Sequence, residues 1–368
     1  MSRLVLLIAL LATVPQTTFA DDLSRHPRLI EFGWDEPDTS FLRTHQKQID
    51  RTPFDGCVFH VDAYDPKGKA VGSLTWQGWG KREFTKDELV KARDDLSASA
   101  SSSGRSTSHF LRFNTTPADI DWFDDFSAVV ANARHAARLA RLGKCAGILL
   151  DTEQYEGRLF QYERQRDAKS KPWQGYARQA RLRGREVMNA LQDEFPDIHI
   201  LLTFGYTLPL YELKGVADPK ALAKAENGLL APFLDGMVDG ARGNSRIIDG
   251  FELSYGYKTV DRFDLARTRF TETVLPLVAD PKKYAQVMEL GFGLWLDYKW
   301  QDHGWNVADP GKNYFTPDAF AQSVALARKK TSQYVWIYTE QPRWWTPEGK
   351  SAKLPVVYET ILRKAWSK

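Results

Sequence analysis

Lys144-Cys-Ala-Gly-Ile-Leu-Leu-Asp-Thr-Glu-Gln-Tyr155 is the stretch on which the reading of the fold turns. Residues 146–150 form a short apolar run with Gly147 near its start, and the run breaks into two acids, Asp151 and Glu153. An apolar run of this length reads as a strand covered on both faces, as in parallel sheets. Alternate residues of a strand point the same way, so Asp151 and Glu153 leave its C-terminal end on one face. Two carboxylates there are costly unless they are paired or used in chemistry.

Working outward, similar runs recur at 28–34, 54–61, 109–114, 199–204, 246–254, 291–296 and 333–338. Helical patterns separate them: 41–49, 86–96, 126–142, 175–195, 219–239, 261–277, 282–288, 316–331 and 354–366. No Asn-Gly or Asp-Gly turn joins consecutive strands. Eight strands alternating with amphipathic helices predict an α/β chain, a single (β/α)8 barrel with long loops at its C-terminal face. An open doubly wound sheet is the competing architecture. It calls for a Gly-rich phosphate loop after strand one, and Gly33-Trp-Asp-Glu-Pro-Asp38 is not one.

The first residues read as an export signal. Arg3 gives a positive start, residues 4–14 an apolar segment, and Thr18-Phe-Ala20 a small-residue cleavage site. The expectation is a signal over 1–20, cleaved near Ala20, and a barrel over 21–368 in the periplasm or secreted. The apolar segment is short for a membrane span, and no Cys follows the cleavage point, so no membrane anchor is expected in the mature chain. A net charge of +3 over 368 residues gives no nucleic-acid footprint. Cys57 and Cys145 stand at the starts of nonadjacent strands, so two buried thiols are expected. Seven scattered His with no H-x-H or H-E-x-x-H pattern indicate no zinc site, and no cofactor motif is present. The sequence leaves the oligomeric state open.

In a (β/α)8 barrel the loops after the strands build one site. The predicted strand ends carry Trp34, Asp35 and Glu36; His60 and Asp62; Arg112 and Asn114; Asp151 and Glu153; Tyr206; Glu252 and Tyr255; Trp295 and Asp297; and Tyr338, Glu340, Trp344 and Trp345. Trp76 and Trp79 lie in the long loop after strand two. Acids and aromatics therefore recur at one end of at least five strands. Cleaving a glycosidic bond needs a protonated carboxyl for the leaving oxygen and an ionised one as nucleophile or base. Neighbouring acids push their pKa values apart, which provides both at one pH. Flat indole and phenol rings suit the C–H faces of sugars.

After the signal the chain resembles (β/α)8-barrel glycoside hydrolases. Ala146-Gly-Ile-Leu-Leu-Asp-Thr-Glu153 is similar to the D-G-x-D-x-D-x-E strand of chitinase-like barrels, with Gly147, Asp151 and Glu153 matching. Ala146 and Leu149 stand where that pattern has its first two acids. The resemblance implies Glu153 as general acid/base and Asp151 as its partner, on a carbohydrate substrate. The second working carboxylate is Asp151, Glu340 or Glu252, with Glu340 placed ahead of Glu252. Trp34, Asp62, Trp76, Trp79, Arg112, Asn114, Tyr206, Tyr255, Trp295, Asp297, Tyr338, Trp344 and Trp345 are the expected sugar contacts. A catalytically inactive glycan-binding barrel is the alternative function. A buried ion pair with Arg112 is the alternative use of Asp151 and Glu153.

Overall fold

The computed structural model describes residues 26–102 and 108–366; the expected export signal lies outside the described residues. Its strands are β1 (Arg28–Gly33), β2 (Gly56–Phe59), β3 (Asp62–Tyr64), β4 (Ala70–Ser73), β5 (Phe110–Asn114), β6 (Gly147–Asp151), β7 (His199–Leu202), β8 (Arg246–Asp249), β9 (Met288–Leu290), β10 (Phe292–Trp295) and β11 (Tyr334–Thr339). The helices are α1 (Thr39–Ile49), α2 (Leu74–Gln77), α3 (Val90–Ser102), α4 (Ser127–Leu142), α5 (Trp173–Glu194), α6 (Thr207–Glu212), α7 (Leu230–Gly240), α8 (Val260–Thr268), α9 (Pro281–Val287), α10 (Trp300–His303), α11 (Pro317–Lys330) and α12 (Val356–Ala365).

The main sheet runs β10-β11-β1-β2-β5-β6-β7-β8-β9, with every pairing parallel. Its two outer members, β9 and β10, are one length of chain interrupted at Gly291. The Gly291 N–H still reaches Asp249 O at 2.8 Å. The ring therefore closes through the backbone, and the fold is a (β/α)8 barrel whose seventh strand is broken once. β6 lies between β5 and β7, as the sequence order requires.

Strand alternation sorts the core. Ile30, Phe32, Val58, Phe110, Leu149, Leu201, Ile248, Tyr334 and Trp336 fill the barrel interior. Two residues further along their own strands, the same faces carry Trp34, Arg112, Asp151, Thr203 and Tyr338. The interior thus changes from apolar to polar toward the C-terminal end. Trp336 packs against Phe32 and Tyr255 at the base of that polar region. A Cβ on Gly293 would lie 2.5 Å from the Trp336 ring, and the indole N–H donates to Gly250 O at 2.8 Å. Two glycines make room for this one large ring.

Three local expectations change. The sixth strand ends at Asp249 rather than near residue 254, because the chain turns at Phe251. The loop after β2 holds an antiparallel hairpin, β3–β4, followed by α2. The helix expected over 219–239 begins at Leu230, preceded by a 3-10 turn, Ala221–Lys224. Cys57 and Cys145 are buried free thiols.

Outside the barrel, α5 and α7 approach closely at two glycines. A Cβ on Gly184 would meet Phe233 O at 2.0 Å, and one on Gly236 would meet Arg181 O at 1.8 Å. Glycine inside a helix costs about 1 kcal/mol relative to alanine, so its presence on both helices marks a contact that excludes any side chain. Gly184→Ala should gain that propensity and lose more to overpacking. The expected result is a net destabilisation of about 2 kcal/mol, read as a lower denaturation midpoint at unchanged denaturant slope.

Candidate active site

The polar end of the barrel opens into a cavity of about 670 Å³. Phe32, Trp34, Glu36, His60, Trp76, Arg112, Glu153, Tyr155, Thr203, Glu252, Tyr255, Trp295, Tyr338 and Glu340 contribute to its wall. Of the residues singled out from sequence, it gathers three of the four candidate catalytic acids (Glu153, Glu252 and Glu340) together with Trp34, Trp76, Arg112, Tyr255, Trp295 and Tyr338.

Arg112 organises this wall. It projects inward from β5, almost fully buried. Its guanidinium donates to Asp151 Oδ2 at 2.7 Å and to Glu36 Oε2 at 2.8 Å. Asp151 is wholly buried at the end of β6. It also accepts from the Tyr155 hydroxyl at 3.0 Å, from Thr203 Oγ1 at 3.1 Å and from the Glu153 N–H at 3.1 Å. All of its acceptor capacity is thus turned inward, and it does not line the cavity. The buried ion pair weighed at the sequence level is present for Asp151. Glu153, two residues on, is left facing the opening.

Glu36 continues the network to His60, whose Nδ1 is 3.4 Å from Glu36 Oε1; Nε2 is 3.8 Å from Asp62 Oδ2. Burial pulls the His60 imidazole down. The Glu36 carboxylate, helped by Asp62 and Asp38, outweighs this and holds it above the usual histidine value.

Glu252 comes to the cavity through a backbone constraint. Phe251 adopts φ 50° and ψ 55°, the left-handed region, which a bulky side chain rarely occupies. The buried Asp249 carboxylate holds the kink: it accepts from the Phe251 N–H at 3.0 Å, the Gly205 N–H at 3.2 Å and the Thr207 hydroxyl at 2.8 Å. The kink ends the strand and delivers Glu252 to the wall. Backbone strain of this kind persists only where the surroundings enforce it, and it clusters at functional sites.

Two of the wall's acids are displaced from ordinary behaviour. Burial raises Glu153, and the charge of Asp151 raises it further, against the Tyr155 hydroxyl and Arg112. Burial raises Glu252 well above the usual carboxylate range, and the negative charges of Glu153 and Asp151 add to this. Glu252 is the more deeply buried, and two acids act on it, so burial and charge both favour its protonated form. Glu340 is held differently: the Trp300 indole N–H donates to it at 2.5 Å. Its charge bears on Tyr338 and Asp297.

Aromatic rings complete the wall. Trp34 is 65% exposed, with its indole N–H on the Tyr338 hydroxyl at 2.8 Å. Tyr338 stacks on Tyr255 at 5.4 Å, and Trp295 meets both edge-on. Trp76, 40% exposed, is carried by α2, which Thr75 ties down by donating to Arg112 O at 2.9 Å.

Several expected contacts lie elsewhere. Trp79 is fully buried, packed edge-on against Phe126 and Phe233. Trp344 and Trp345 turn inward under the β1 loop, donating their backbone N–H groups to Asp35, with the Trp345 indole on Asp35 O at 2.7 Å. Tyr206 is buried and donates to Asp235 at 2.8 Å. Asp297 accepts from the Trp295 indole and from the Glu340 and Gln341 N–H groups, so it braces a loop. Asn114 is buried in register with Asp151, outside the cavity wall. Asp62 lies on a neighbouring depression. Conversely, Glu36 and His60, noted at strand ends but not expected to contact sugar, line the cavity, as do Tyr155 and Thr203, which the sequence reading did not single out. Tyr155 extends the alternation of Asp151 and Glu153 by one more step, a signal that was open to use.

No protein-family model and no curated protein matches the chain. Solved structures do. A trimodular endoglucanase superposes with a TM-score of 0.50 at 9% identity, over 94% of this chain and 61% of that one. A broad-specificity endoglucanase from an uncultured bacterium gives 0.48 at 12% identity, over 91% and 86% of the two chains. The catalytic domain of a chitinase from Pyrococcus furiosus gives 0.44 at 11%, over 94% and 98%. At these identities the likeness is one of fold.

A buried acid with a raised pKa makes a checkable demand on stability. The folded state binds the Glu252 proton more tightly than the unfolded state does. Wild-type stability is therefore penalised progressively as pH rises above the ordinary value of 4.5 toward the folded value. Glu252→Gln removes the penalty. The variant should gain in Tm over wild type by an amount that grows with pH across this window and then levels off. A gain independent of pH would contradict it.

Proposed function

We propose that this protein is an exported glycoside hydrolase that cleaves an oligosaccharide or polysaccharide at the barrel mouth, with Glu252 and Glu153 as the working carboxylates. The observation that carries the reading is the placement of these two acids on one aromatic-walled cavity, where burial and mutual charge separate their protonation. The fold shared with an endoglucanase is consistent with it, and the N-terminal signal pattern supports export.

In this reading the pair shares one proton, and it resides on Glu252. Glu252 donates it to the glycosidic oxygen as the bond to the anomeric carbon breaks. Glu153, ionised, either attacks that carbon or takes a proton from the attacking water. The assignment inverts the sequence-level one, which gave the proton to Glu153. The reason is burial: Glu252 is the deeper acid, and the charge of Glu153 acts on it. The same charge argument places Glu252 ahead of Glu340 as the partner of Glu153. Tyr255 stands beside Glu252 on the wall and acts on its carboxyl in the opposite sense to burial. Glu340 and Trp34 are placed to contact substrate, and Asp151 acts through Arg112 and Tyr155 by keeping Glu153 in position.

Glu252→Gln and Glu153→Gln should each lower turnover on an unactivated oligosaccharide by about 10²- to 10⁴-fold. An aryl glycoside with a good leaving group needs little protonation. It should therefore restore most of the rate to Glu252→Gln and not to Glu153→Gln. The measurement is reducing-end release from glucan and chitin oligosaccharides beside aryl-glycoside kinetics. Rescue of Glu153→Gln instead would return the acid role to Glu153. Full activity of both variants would remove the pair from the chemistry.

A further inference from the structure

Beside the main cavity lies a second depression of about 440 Å³, lined by Asp62, Ser73, Trp76, Gln77, Pro117 and Glu156, with Ala70 at its edge. Trp76 belongs to both walls. It is the partition between them.

The two faces of this ring are not equivalent. The Arg112 guanidinium lies over the ring, 4.6 Å from its centroid, and Arg112 lines the main cavity. That face is taken, and Tyr155 meets the ring edge-on at 5.5 Å. The ring is nevertheless 40% exposed, which leaves the opposite face for the second depression. A cation on one face does not block stacking on the other. Around the open face stand two carboxylates, Asp62 and Glu156, the Gln77 amide and the Ser73 hydroxyl. Carboxylates and amides beside a flat ring suit a pyranose: C–H groups lie on the indole and hydroxyl groups donate at the edge.

We propose that this depression is a distal subsite that holds one further sugar unit of a chain crossing Trp76 from the main cavity. The inference rests on the glycoside hydrolase reading and deepens it: the substrate is an extended glycan chain, and binding strength depends on its length. The hairpin β3–β4 and α2, which carry Ala70, Ser73, Trp76 and Gln77, act as the chain-length sensor.

The test compares neutral glucan and chitin oligosaccharides of two to six units, by calorimetric binding and by kcat/KM, in the full protein. Stacking on an aromatic platform predicts that chains long enough to cross Trp76 bind about tenfold tighter than the disaccharide. Ala70→Arg fills the depression from an exposed strand position, and Glu156→Ala removes a hydroxyl acceptor. Each should collapse the long-to-short ratio toward one, with the loss in KM rather than kcat. A length dependence unchanged in both variants, or equal affinities for all lengths in wild type, overturns the subsite and leaves the hydrolase reading standing. No binding and no hydrolysis of any glycan overturns both.

Discussion

The Arg112 guanidinium between Asp151 and Glu36 is the interaction on which the mouth of the barrel depends. It joins the middle of β5 to the end of β6 and to the loop after β1, at 2.7 and 2.8 Å. Desolvating a lone carboxylate costs several kcal/mol, so neither acid would be stable here without the cation. With it, Asp151 can spend its remaining lone pairs on Thr203, Tyr155 and the Glu153 backbone. One ion network therefore fixes three loops and places Glu153.

That arrangement also sets the electrostatics. Asp151 is paired along one direction, toward Arg112. On its other side its negative charge still reaches Glu153 and Glu252. The apolar base of Trp336 and Phe32 and the ring wall of Tyr255, Trp295 and Tyr338 keep the local dielectric low, which strengthens the effect. A cavity that raises its acids to different extents is the condition for acid and base chemistry at one pH. The same Arg112 covers one face of Trp76, so the network reaches as far as the aromatic partition at the edge of the site.

The barrel was legible in the chain because its signals are local. Apolar runs, helical periods and the two-residue alternation of Asp151 and Glu153 need no tertiary information. The site was legible only in part. Trp79, Trp344 and Trp345 look like Trp34 and Trp76 in sequence, and only packing separates a buried indole from an exposed one. Glu252 reaches the cavity through a left-handed Phe251, and phenylalanine gives no hint of positive φ. Asp297 carries an acid at a strand end, yet three N–H groups bind it. Gly291 interrupts a strand that the pattern starts there, because β9 precedes it in three residues that lie at and just beyond the end of the helix expected over 282–288.

The central claim is that Glu252 and Glu153 share a proton held by Glu252. Carboxyl carbon chemical shifts of glutamate-labelled protein, followed against pH and assigned with Glu252→Gln and Glu153→Gln, test it directly. The account predicts a Glu252 carboxyl that stays protonated well above the ordinary 4.5 and whose midpoint falls when Glu153 is replaced by Gln. Two carboxyls that titrate near 4.5, each indifferent to the other's replacement, would contradict it.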